Sequence, residues 1–276
     1  MAMPTYYLTR CEMGVLTHHS KGILEAKDIG EDTLEIVELG AGDGSKTSIF
    51  LTELVRTKKE FVYKPVDVSE NVLREITERM KLANVPTQPL QTTYTGAIEK
   101  RASGAGNPRL VMFLASNIGN MELDEARSFI QELCDVMQNG DYLLIGLDMK
   151  KDPELTTAAY DDPEGITSSF NLNMLLHLNR EFGTNFPVAD FKHQAEYDER
   201  SGAARSYLIS ENPVDLSFSG INEQDHLVSK ERISTEISQK YDDQLVAEVF
   251  CSCSFEQKGY WQDEKGYFRD YLFVKK

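Results

Sequence analysis

The stretch Leu34-Glu35-Ile36-Val37-Glu38-Leu39-Gly40-Ala41-Gly42-Asp43-Gly44-Ser45-Lys46 decides the fold of this chain. An apolar run ends beside an acidic residue, breaks into three alternating glycines and enters a segment with helical periodicity. This order predicts a β-strand, a tight turn and an α-helix. Glycines let the backbone adopt positive φ and lie against a ligand, and the helix directs its free N–H groups to the same place. The stretch is therefore typical of a turn that binds a nucleotide-like cofactor.

Glycine spacing separates the cofactor classes that such a turn can bind. A dinucleotide turn has the pattern G-x-G-x-x-G, whereas the third glycine here, Gly44, comes one position early. A phosphate-binding P-loop needs a glycine directly before the lysine, and Ser45 interrupts that pattern. The remaining pattern is acid-x-G-x-G-x-G, which S-adenosylmethionine-dependent methyltransferases use. A glycine-rich loop that only precedes a helix is the alternative interpretation.

Asp67 favours the cofactor interpretation. It ends the next apolar run, Phe61 to Val66, and follows Gly44 by 23 residues. A carboxylate at the end of the second strand can accept hydrogen bonds from both ribose hydroxyls. We therefore expect S-adenosylmethionine as the cofactor.

Composition limits the partners that are expected. The 276 residues are 41% hydrophobic and 27% charged, as in an ordinary globular protein, and the formal net charge is −16. Such a surface repels phosphate backbones and anionic lipids, so we expect a small-molecule substrate and neither nucleic acid nor membrane as a partner. The oligomeric state is left open. No apolar run approaches the roughly 20 residues of a membrane span or resembles a signal peptide, so a cytoplasmic location is expected.

The four cysteines are Cys11, Cys134, Cys251 and Cys253, and none forms a C-x-x-C pair. We expect reduced thiols and no metal site.

Strands and helices alternate as far as residue 150 and predict an α/β fold with a doubly wound, Rossmann-like sheet. Ligands of such sheets bind at the carboxyl ends of the strands, where Gly40, Asp67 and Ser116 all fall. Strands are predicted to end at residues 39 and 67 and to cover residues 91–94, 109–116 and 142–148; helices are predicted over residues 21–27, 45–58, 70–82 and 124–137, with Ser45 and Ser69 as caps.

The pattern changes after Lys151. A long helix over residues 166–182 and alternating runs at residues 204–209 and 233–237 predict an inserted α+β domain that binds the substrate. A helix near residues 244–249 and runs at residues 251–255 and 267–274 are predicted to complete the sheet. The expected domains are therefore residues 11–150 plus 240–276 for the cofactor and residues 151–239, with 1–10, for the substrate.

Several motifs together resemble one family, the histidine Nα-methyltransferases of ergothioneine biosynthesis and their relatives, which include fungal N-methyltransferases of tryptophan derivatives. Any one motif is weak, but their order is specific and they cover nearly the whole chain. They are Tyr6-Tyr-Leu-Thr-Arg10, Glu38-Leu-Gly-Ala-Gly42, Asp67-Val-Ser69, Phe113-Leu-Ala-Ser-Asn-Ile-Gly-Asn120, Asp148-Met-Lys-Lys-Asp152, Ala159-Tyr-Asp-Asp162, Phe170-Asn-Leu-Asn173, Asn179-Arg-Glu181 and Thr235-Glu-Ile-Ser238.

The resemblance implies a second domain that closes over an amino acid, and it assigns the site residues. Asn120 and Tyr160, the candidate catalytic residues, would hold the amino and carboxylate groups of the substrate, and Tyr6, Glu236 and Ser238 would hydrogen-bond an imidazole. Ser206 would line the ring pocket. The candidate cofactor-binding residues are Glu38, Gly40, Ala41, Gly42, Lys46, Asp67 and Ser116.

The chain also departs from the family pattern. Ala115 and Asn117 replace a glycine and a threonine, Ser206 replaces a methionine, and Tyr94-Thr95-Gly96 replaces an Asp-Phe pair near the adenine. The chain begins at the Tyr-Tyr segment, so an N-terminal portion of the family is expected to be absent.

The expected activity is S-adenosylmethionine-dependent N-methylation of an amino acid, with histidine as the leading substrate and one to three methyl groups added to the α-nitrogen. The alternatives are methylation of another small amine or amino-acid derivative, or cofactor binding with little catalysis.

Overall fold

The computed structural model describes residues 6–26, 33–99, 108–219 and 223–276. The chain divides into two compact units. We call Leu8–Lys150 with Tyr241–Lys276 the sheet unit, and Lys151–Lys240 with Tyr6 and Tyr7 the inserted unit. Residues 1–5 of the predicted substrate domain lie outside the described residues.

The sheet unit contains one seven-stranded sheet with the strand order β11-β12-β5-β4-β1-β2-β3. Strands β1 to β5 pair in parallel, whereas β12 runs antiparallel to both β5 and β11. Its strands are β1 (Leu34–Leu39), β2 (Phe61–Asp67), β3 (Leu90–Gln91), β4 (Arg109–Phe113), β5 (Tyr142–Asp148), β11 (Phe255–Gln262) and β12 (Phe268–Lys275). Its helices are α1 (Leu8–Glu25), α2 (Ser45–Thr57), α3 (Glu70–Leu82), α4 (Tyr94–Glu99), α5 (Leu123–Val136) and α8 (Asp243–Phe250), with a short 3-10 helix at Asn117–Asn120.

Apolar residues on both faces of the central strands create two separate cores. Ile36 of β1 belongs to the core with α1, α2 and α3, whereas the next residue, Val37, belongs to the core with α5 and α8. Both side chains are fully buried. Successive side chains of a strand point to opposite faces, so a continuous apolar run requires helices on both sides of the sheet. The predicted α/β, doubly wound, Rossmann-like fold with an inserted α+β domain is therefore confirmed.

Two predictions about the helices of the sheet unit differ from the structure, and a third is confirmed. The predicted helix at residues 21–27 is the end of the longer α1, and residue 27 lies outside the described residues. Ser45 does not cap α2: left-handed Gly44 occupies the cap position, and Ser45 is the first helical residue. Its N–H and hydroxyl both donate to the Asp43 carboxylate, at 3.0 and 2.7 Å. Ser69 does cap α3 as predicted, through a bond from the Val72 N–H.

The predicted strand at residues 91–94 is mostly wrong. Pairing ends at Gln91, and Tyr94 begins α4, with the Thr93 hydroxyl accepting a bond from the Gly96 N–H at 3.3 Å. The strand predicted at residues 251–255 begins only at Phe255, because the chain turns after α8, where the Cys253 N–H bonds to the Phe250 carbonyl.

The inserted unit packs a long helix against antiparallel strands. Strands β10, β7 and β6 form one antiparallel sheet in that order, and β8 pairs with β9. Its elements are α6 (Pro153–Tyr160), α7 (Ile166–Phe182), a 3-10 helix at Val188–Asp190, β6 (Phe191–Asp198), β7 (Ala203–Ser210), β8 (Val214–Phe218), β9 (Glu223–Leu227) and β10 (Arg232–Gln239). Leu175 of α7 is fully buried among Phe186, Phe191 and Leu208, so this unit has its own core. Among the described residues, no helix has the length and apolar character that crossing a membrane requires.

Candidate active site

The glycine turn follows β1 at the carboxyl end of the parallel sheet. Gly40, Gly42 and Gly44 all have positive φ, at 72°, 53° and 66°. The backbone N–H groups of Gly40 and Ala41 bond to the Val66 carbonyl of β2, at 3.0 and 3.3 Å, which holds the turn against the next strand. A Cβ placed on Gly42 would meet nothing within 4 Å. The middle of the turn therefore presents bare backbone to open space, which suits the close approach of a ligand.

Gly40 lies beside two side chains from other elements. A Cβ placed on Gly40 would lie 2.8 Å from the Tyr94 hydroxyl oxygen and 3.3 Å from Asn117 Nδ2. Burial, and secondarily the charge of Asp67, raise the pKa of Tyr94 above its ordinary value. The ends of β1, β2 and β4 thus bring Gly40, Asp67 and Asn117 together around the Tyr94 hydroxyl. The sequence marked Tyr94 and Asn117 only as departures from a family pattern and missed them as neighbours of the glycine turn.

Asp67 ends β2, and among the described residues only one of its carboxylate oxygens accepts a hydrogen bond. Its Oδ1 accepts a bond from the Ser69 N–H at 2.9 Å, which ties the carboxylate to the start of α3. The residue is partly exposed. This arrangement fixes the carboxylate orientation and fits the predicted acceptance of ribose hydroxyls.

Glu38 precedes the glycine turn and links the two elements α2 and β2 by hydrogen bonds. Its carboxylate is buried and accepts hydrogen bonds from Thr47 of α2 and Tyr63 of β2. Burial raises the pKa of Glu38 to about 7, although both hydrogen bonds oppose that shift. Both of these hydrogen bonds link Glu38 to other side chains of the protein, so neither one tests a contact with the cofactor. Its predicted contact with the cofactor stays a prediction.

Lys46 forms an ion pair with an acidic residue. Its ammonium group bonds to Glu12 of α1, whose side chain is fully buried. The other Glu12 oxygen accepts a bond from the Ala115 N–H at 2.7 Å. Ala115 has φ of 66°, so Glu12 holds the departure from β4 in a left-handed conformation that alanine rarely adopts. No local pattern marks Glu12, because its partners lie 34 and 103 residues away.

Asp270 of β12 adds a second acid beside Glu12. Neither of its oxygens has a hydrogen-bond partner among the described residues. Burial, and then the charge of Glu12, raise the pKa of Asp270 well above its ordinary value. The raised pKa favours the neutral form of this carboxyl group, which suits it to a buried position beside Glu12.

Ser116 and Asn120 follow β4 in different environments. The Ser116 hydroxyl is buried and accepts a bond from the Asp148 N–H at 3.1 Å, which joins the end of β4 to β5. Asn120 ends the short 3-10 helix and is exposed. The predicted cofactor contact of Ser116 and the predicted substrate contact of Asn120 stay predictions.

The inserted unit contains a cavity formed by α6, α7, β10 and the segment at Tyr6. Its lining is mostly apolar and aromatic, with the Glu236 carboxylate as the charged group. The lining includes Tyr6, Tyr160, Ile166, Thr167, Phe170 and Glu236. Three of the predicted substrate-binding residues, Tyr6, Tyr160 and Glu236, are therefore neighbours in one cavity.

Tyr160 ends α6 and is 3% exposed. Its hydroxyl donates to Ser238 Oγ at 2.7 Å, which joins α6 to β10. Lys240 Nζ donates to the Tyr160 hydroxyl at 2.7 Å and to Ser238 Oγ at 2.6 Å. The sequence predicted Tyr160 and Ser238 but missed Lys240, since a lysine two residues after Ser238 reads as the solvated end of a strand.

A β-bulge in β10 places Glu236 opposite Ser206 of β7. Ser234 pairs with Tyr207 and Glu236 pairs with Ser206, so Thr235 has no partner in the register. The Thr235 hydroxyl lies 2.6 Å from Asn171 Oδ1 of α7 and 3.1 Å from the Ser206 carbonyl oxygen. Burial raises the pKa of Glu236, while Lys240 and the Ser206 hydroxyl lower it. Bulges often aim side chains at binding sites, and the sequence alone did not reveal this one.

The doubly wound sheet, the glycine turn after β1 and the carboxylate that ends β2 define the class of S-adenosylmethionine-dependent methyltransferases. The chain resembles the solved structure of the CcbJ methyltransferase from Streptomyces caelestis with a TM-score of 0.50 and 10% identity, over 96% of each chain. At this identity the likeness shows the fold alone.

The chain belongs to the family of histidine-specific, S-adenosylmethionine-dependent methyltransferases, whose model matches residues 1–275. It is 31% identical to the histidine N-alpha-methyltransferase of Mycolicibacterium smegmatis, over 99% of this chain and 84% of the relative. It is 29% identical to ergothioneine biosynthesis protein 1 of Neurospora crassa, over 93% of this chain and 29% of that longer protein. The predicted family, enzyme class and cofactor are confirmed.

Proposed function

We propose that this enzyme transfers methyl groups from S-adenosylmethionine to the α-amino group of histidine. The observation that carries the proposal is the cavity of the inserted unit, which Tyr160 and Glu236 line together with apolar and aromatic groups. The Tyr160 hydroxyl donates to Ser238 Oγ, so a second hydroxyl lies next to this lining. A neutral imidazole needs an acceptor for its N–H and a donor for its other nitrogen. A carboxylate and a hydroxyl supply these two functions. In this proposal the sheet unit binds the cofactor and the inserted unit binds the imidazole.

The sheet unit has groups that fit the cofactor. The bare backbone at Gly42 is open to a ligand, and Asp67 has an oriented carboxylate for the ribose hydroxyls. Gly40, Ala41, Lys46 and Ser116 are the further positions that we assign to cofactor binding, while Glu38 supports them from below. The bound cofactor supplies an electrophilic methyl group on its sulfonium sulfur.

The chemical demand on the protein is modest. An α-amino group with a pKa of about 8 is partly neutral at pH 7, so orientation of the amine is the main task. We assign that orientation to Asn120 and Tyr160, and the ring recognition to Tyr6, Glu236, Ser238 and Ser206. The released proton goes to solvent.

The proposal is tested by incubating the enzyme with S-adenosylmethionine and single amino acids, followed by mass spectrometry of the products. We expect methylated histidine, with the methyl groups on the α-nitrogen in the fragmentation spectrum. Turnover of another amino acid with no turnover of histidine would overturn the proposal.

Glu236→Gln tests the recognition of the ring. A site that hydrogen-bonds its substrate rejects analogues without the matching group by about 10⁴-fold, so we expect high wild-type selectivity for histidine over phenylalanine. The amide weakens the acceptor, and the ratio of kcat/KM values for the two substrates should fall by at least about tenfold. Glu223→Gln, at an exposed position of β9, is the matched control. An unchanged ratio in Glu236→Gln would exclude Glu236 from ring recognition.

A further inference from the structure

Lys240 is a fully buried lysine that immediately follows β10. Its backbone N–H bonds to the Gly202 carbonyl at 2.8 Å, so the residue is anchored where its side chain departs. Its Nζ lies 4.6 Å from the centroid of the Tyr160 ring. Lysine is almost never fully buried unless its ammonium group is paired. The position of Lys240 beside the substrate cavity therefore requires an explanation.

The three groups Lys240, Tyr160 and Ser238 form a triangle of hydrogen bonds. Lys240 Nζ lies 2.7 Å from the Tyr160 hydroxyl and 2.6 Å from Ser238 Oγ, and the two hydroxyl oxygens are 2.7 Å apart. An ammonium group can only donate, so both hydroxyls must accept from Lys240. The Tyr160 proton lies between the two oxygens, because Tyr160 donates to Ser238. The Ser238 O–H is then the hydroxyl proton of the triangle that remains for another acceptor.

The ammonium group therefore sets the hydrogen-bonding polarity of Ser238, which is bonded to the cavity-lining residue Tyr160. The hydroxyl that accepts two bonds has no lone pair left and can act only as a donor. Without the ammonium group, each hydroxyl could rotate, and either one could present a lone pair to the substrate. The nearby Glu236 carboxylate can only accept when it is ionised, so the cavity has one donor and one acceptor of fixed kind.

Lys240 also acts on Glu236 through its charge. Burial raises the pKa of Glu236, and the ammonium group is the largest influence in the opposite direction. The Ser206 hydroxyl adds a smaller effect in the same direction. Lys240 therefore acts both on the hydroxyl donor, through a hydrogen bond, and on the Glu236 carboxylate, through its charge.

We propose that Lys240 is a positioning residue for substrate recognition: its buried ammonium group donates to the Tyr160 and Ser238 hydroxyls and so orients the Ser238 hydroxyl to donate to the substrate. This inference rests on the proposed function, in which the cavity binds an imidazole. Lys240 itself makes no contact with the substrate in this proposal.

Lys240→Met tests the role, because methionine has a similar length and no charge or donor. We expect the KM for histidine to rise by about tenfold or more, as after the loss of a charge-assisted hydrogen bond, with less than about threefold change in kcat. The dissociation constant of S-adenosylhomocysteine, measured by calorimetry, should stay within twofold and shows that the variant is folded. Lys192→Met, at an exposed position of β6, is the control. A histidine KM within twofold of wild type in Lys240→Met would overturn the proposal.

A double-mutant cycle separates this role from simple packing. If Lys240 acts through Ser238, the effects of Lys240→Met and Ser238→Ala on the histidine KM should overlap. The fold-increase in KM of the double variant should then be smaller than the product of the two single fold-increases by about fivefold or more. Fully multiplicative effects would show that the two residues act independently, and they would overturn the proposal.

A measurement without substrate keeps this test apart from the test of histidine methylation. In protein labelled with ¹⁵N-lysine, a protected ammonium resonance should disappear in Lys240→Met and shift in Ser238→Ala and in Tyr160→Phe. Absence of histidine turnover by the wild type would overturn the proposed function and leave this resonance unchanged. A Lys240 resonance that neither hydroxyl substitution shifts would overturn the role of Lys240, whatever the substrate.

Discussion

At the scale of single residues, the buried acids below the glycine turn govern how stability depends on pH. Glu38 has an ordinary pKa near 4.5 when unfolded and about 7 when folded, because burial disfavours its charge. Between these values the folded protein holds a proton that the unfolded chain has released. The contribution of Glu38 to stability is therefore complete below pH 4.5 and is lost as the pH rises to about 7.

Glu38→Gln should remove this contribution. The wild-type free energy of unfolding should fall by up to about 3 kcal/mol from pH 4.5 to pH 7 through Glu38, and the variant should lose that part of the slope. Urea unfolding at several pH values measures it, and the exposed substitution Glu78→Gln should leave the slope unchanged. A variant with the wild-type slope would show that Glu38 has no raised pKa.

Gly40 and Gly42 give a second prediction, because both have positive φ but only Gly40 has close neighbours. Alanine costs backbone strain at either position, and at Gly40 its Cβ also meets the Tyr94 hydroxyl. Gly40→Ala should weaken the binding of S-adenosylhomocysteine by at least about tenfold. Gly42→Ala should weaken it as well, because its Cβ would occupy the space that is open to the ligand. Calorimetry measures both dissociation constants.

Tyr94→Phe serves as the internal control of that comparison. It removes the oxygen that the new Cβ would meet, so Tyr94→Phe combined with Gly40→Ala should recover much of the lost affinity relative to Tyr94→Phe alone. No recovery would mean that backbone strain explains the whole effect at Gly40.

At the scale of elements, a feature could be predicted from the sequence when the residues that determine it are close together in the chain. The strand from Leu34 to Leu39, the glycine turn and the Ser69 cap are set by neighbouring residues, and all three could be predicted from sequence. Most of α1 was missed because its buried stripe contains the polar residues Glu12 and Ser20, which interrupt the apolar period. The Thr235 bulge depends on Asn171, which is 64 residues away, so no local pattern reveals it.

Thr235→Val should show what the bulge in β10 contributes. Valine keeps the shape of the side chain but cannot bond to Asn171 or to the Ser206 carbonyl, so the position of Glu236 becomes less well fixed. We expect a loss of about 1 kcal/mol of stability and a rise of several-fold in the histidine KM. Ser234→Ala, at an exposed neighbouring position, should change neither. An unchanged KM in Thr235→Val would separate the bulge from substrate binding.

At the scale of the whole molecule, each unit has its own core and contains its own group of candidate site residues. The positions of the candidate site residues also explain which of them could be predicted from the sequence. Gly40 and Asp67 stand at strand ends and were found by spacing, whereas Glu12 and Lys240 act through contacts that only the fold creates. Both of these missed residues are charged and fully buried.

Hydrogen exchange should distinguish the two units. S-adenosylhomocysteine at 100 times its dissociation constant stabilises the state that binds it by about 2.7 kcal/mol. We expect slower exchange first in amides around the glycine turn and the end of β2, with a smaller effect on β6 and β7. Equal protection of β6 and β7 would contradict the assignment of cofactor binding to the sheet unit alone. Strand β9, whose side chains are mostly exposed, provides a reference in which exchange should not change.

The two ends of the inserted unit leave the sheet unit at neighbouring positions. Met149 and Tyr241 form a parallel bridge, the Lys150 N–H bonds to the Tyr241 carbonyl at 2.7 Å, and the Tyr241 N–H bonds to the Asp148 carbonyl at 2.8 Å. A segment with adjacent ends can be exchanged without opening the structure that carries it. Residues 151–240 can thus be exchanged as one segment, while the seven-stranded sheet and its glycine turn are left in place.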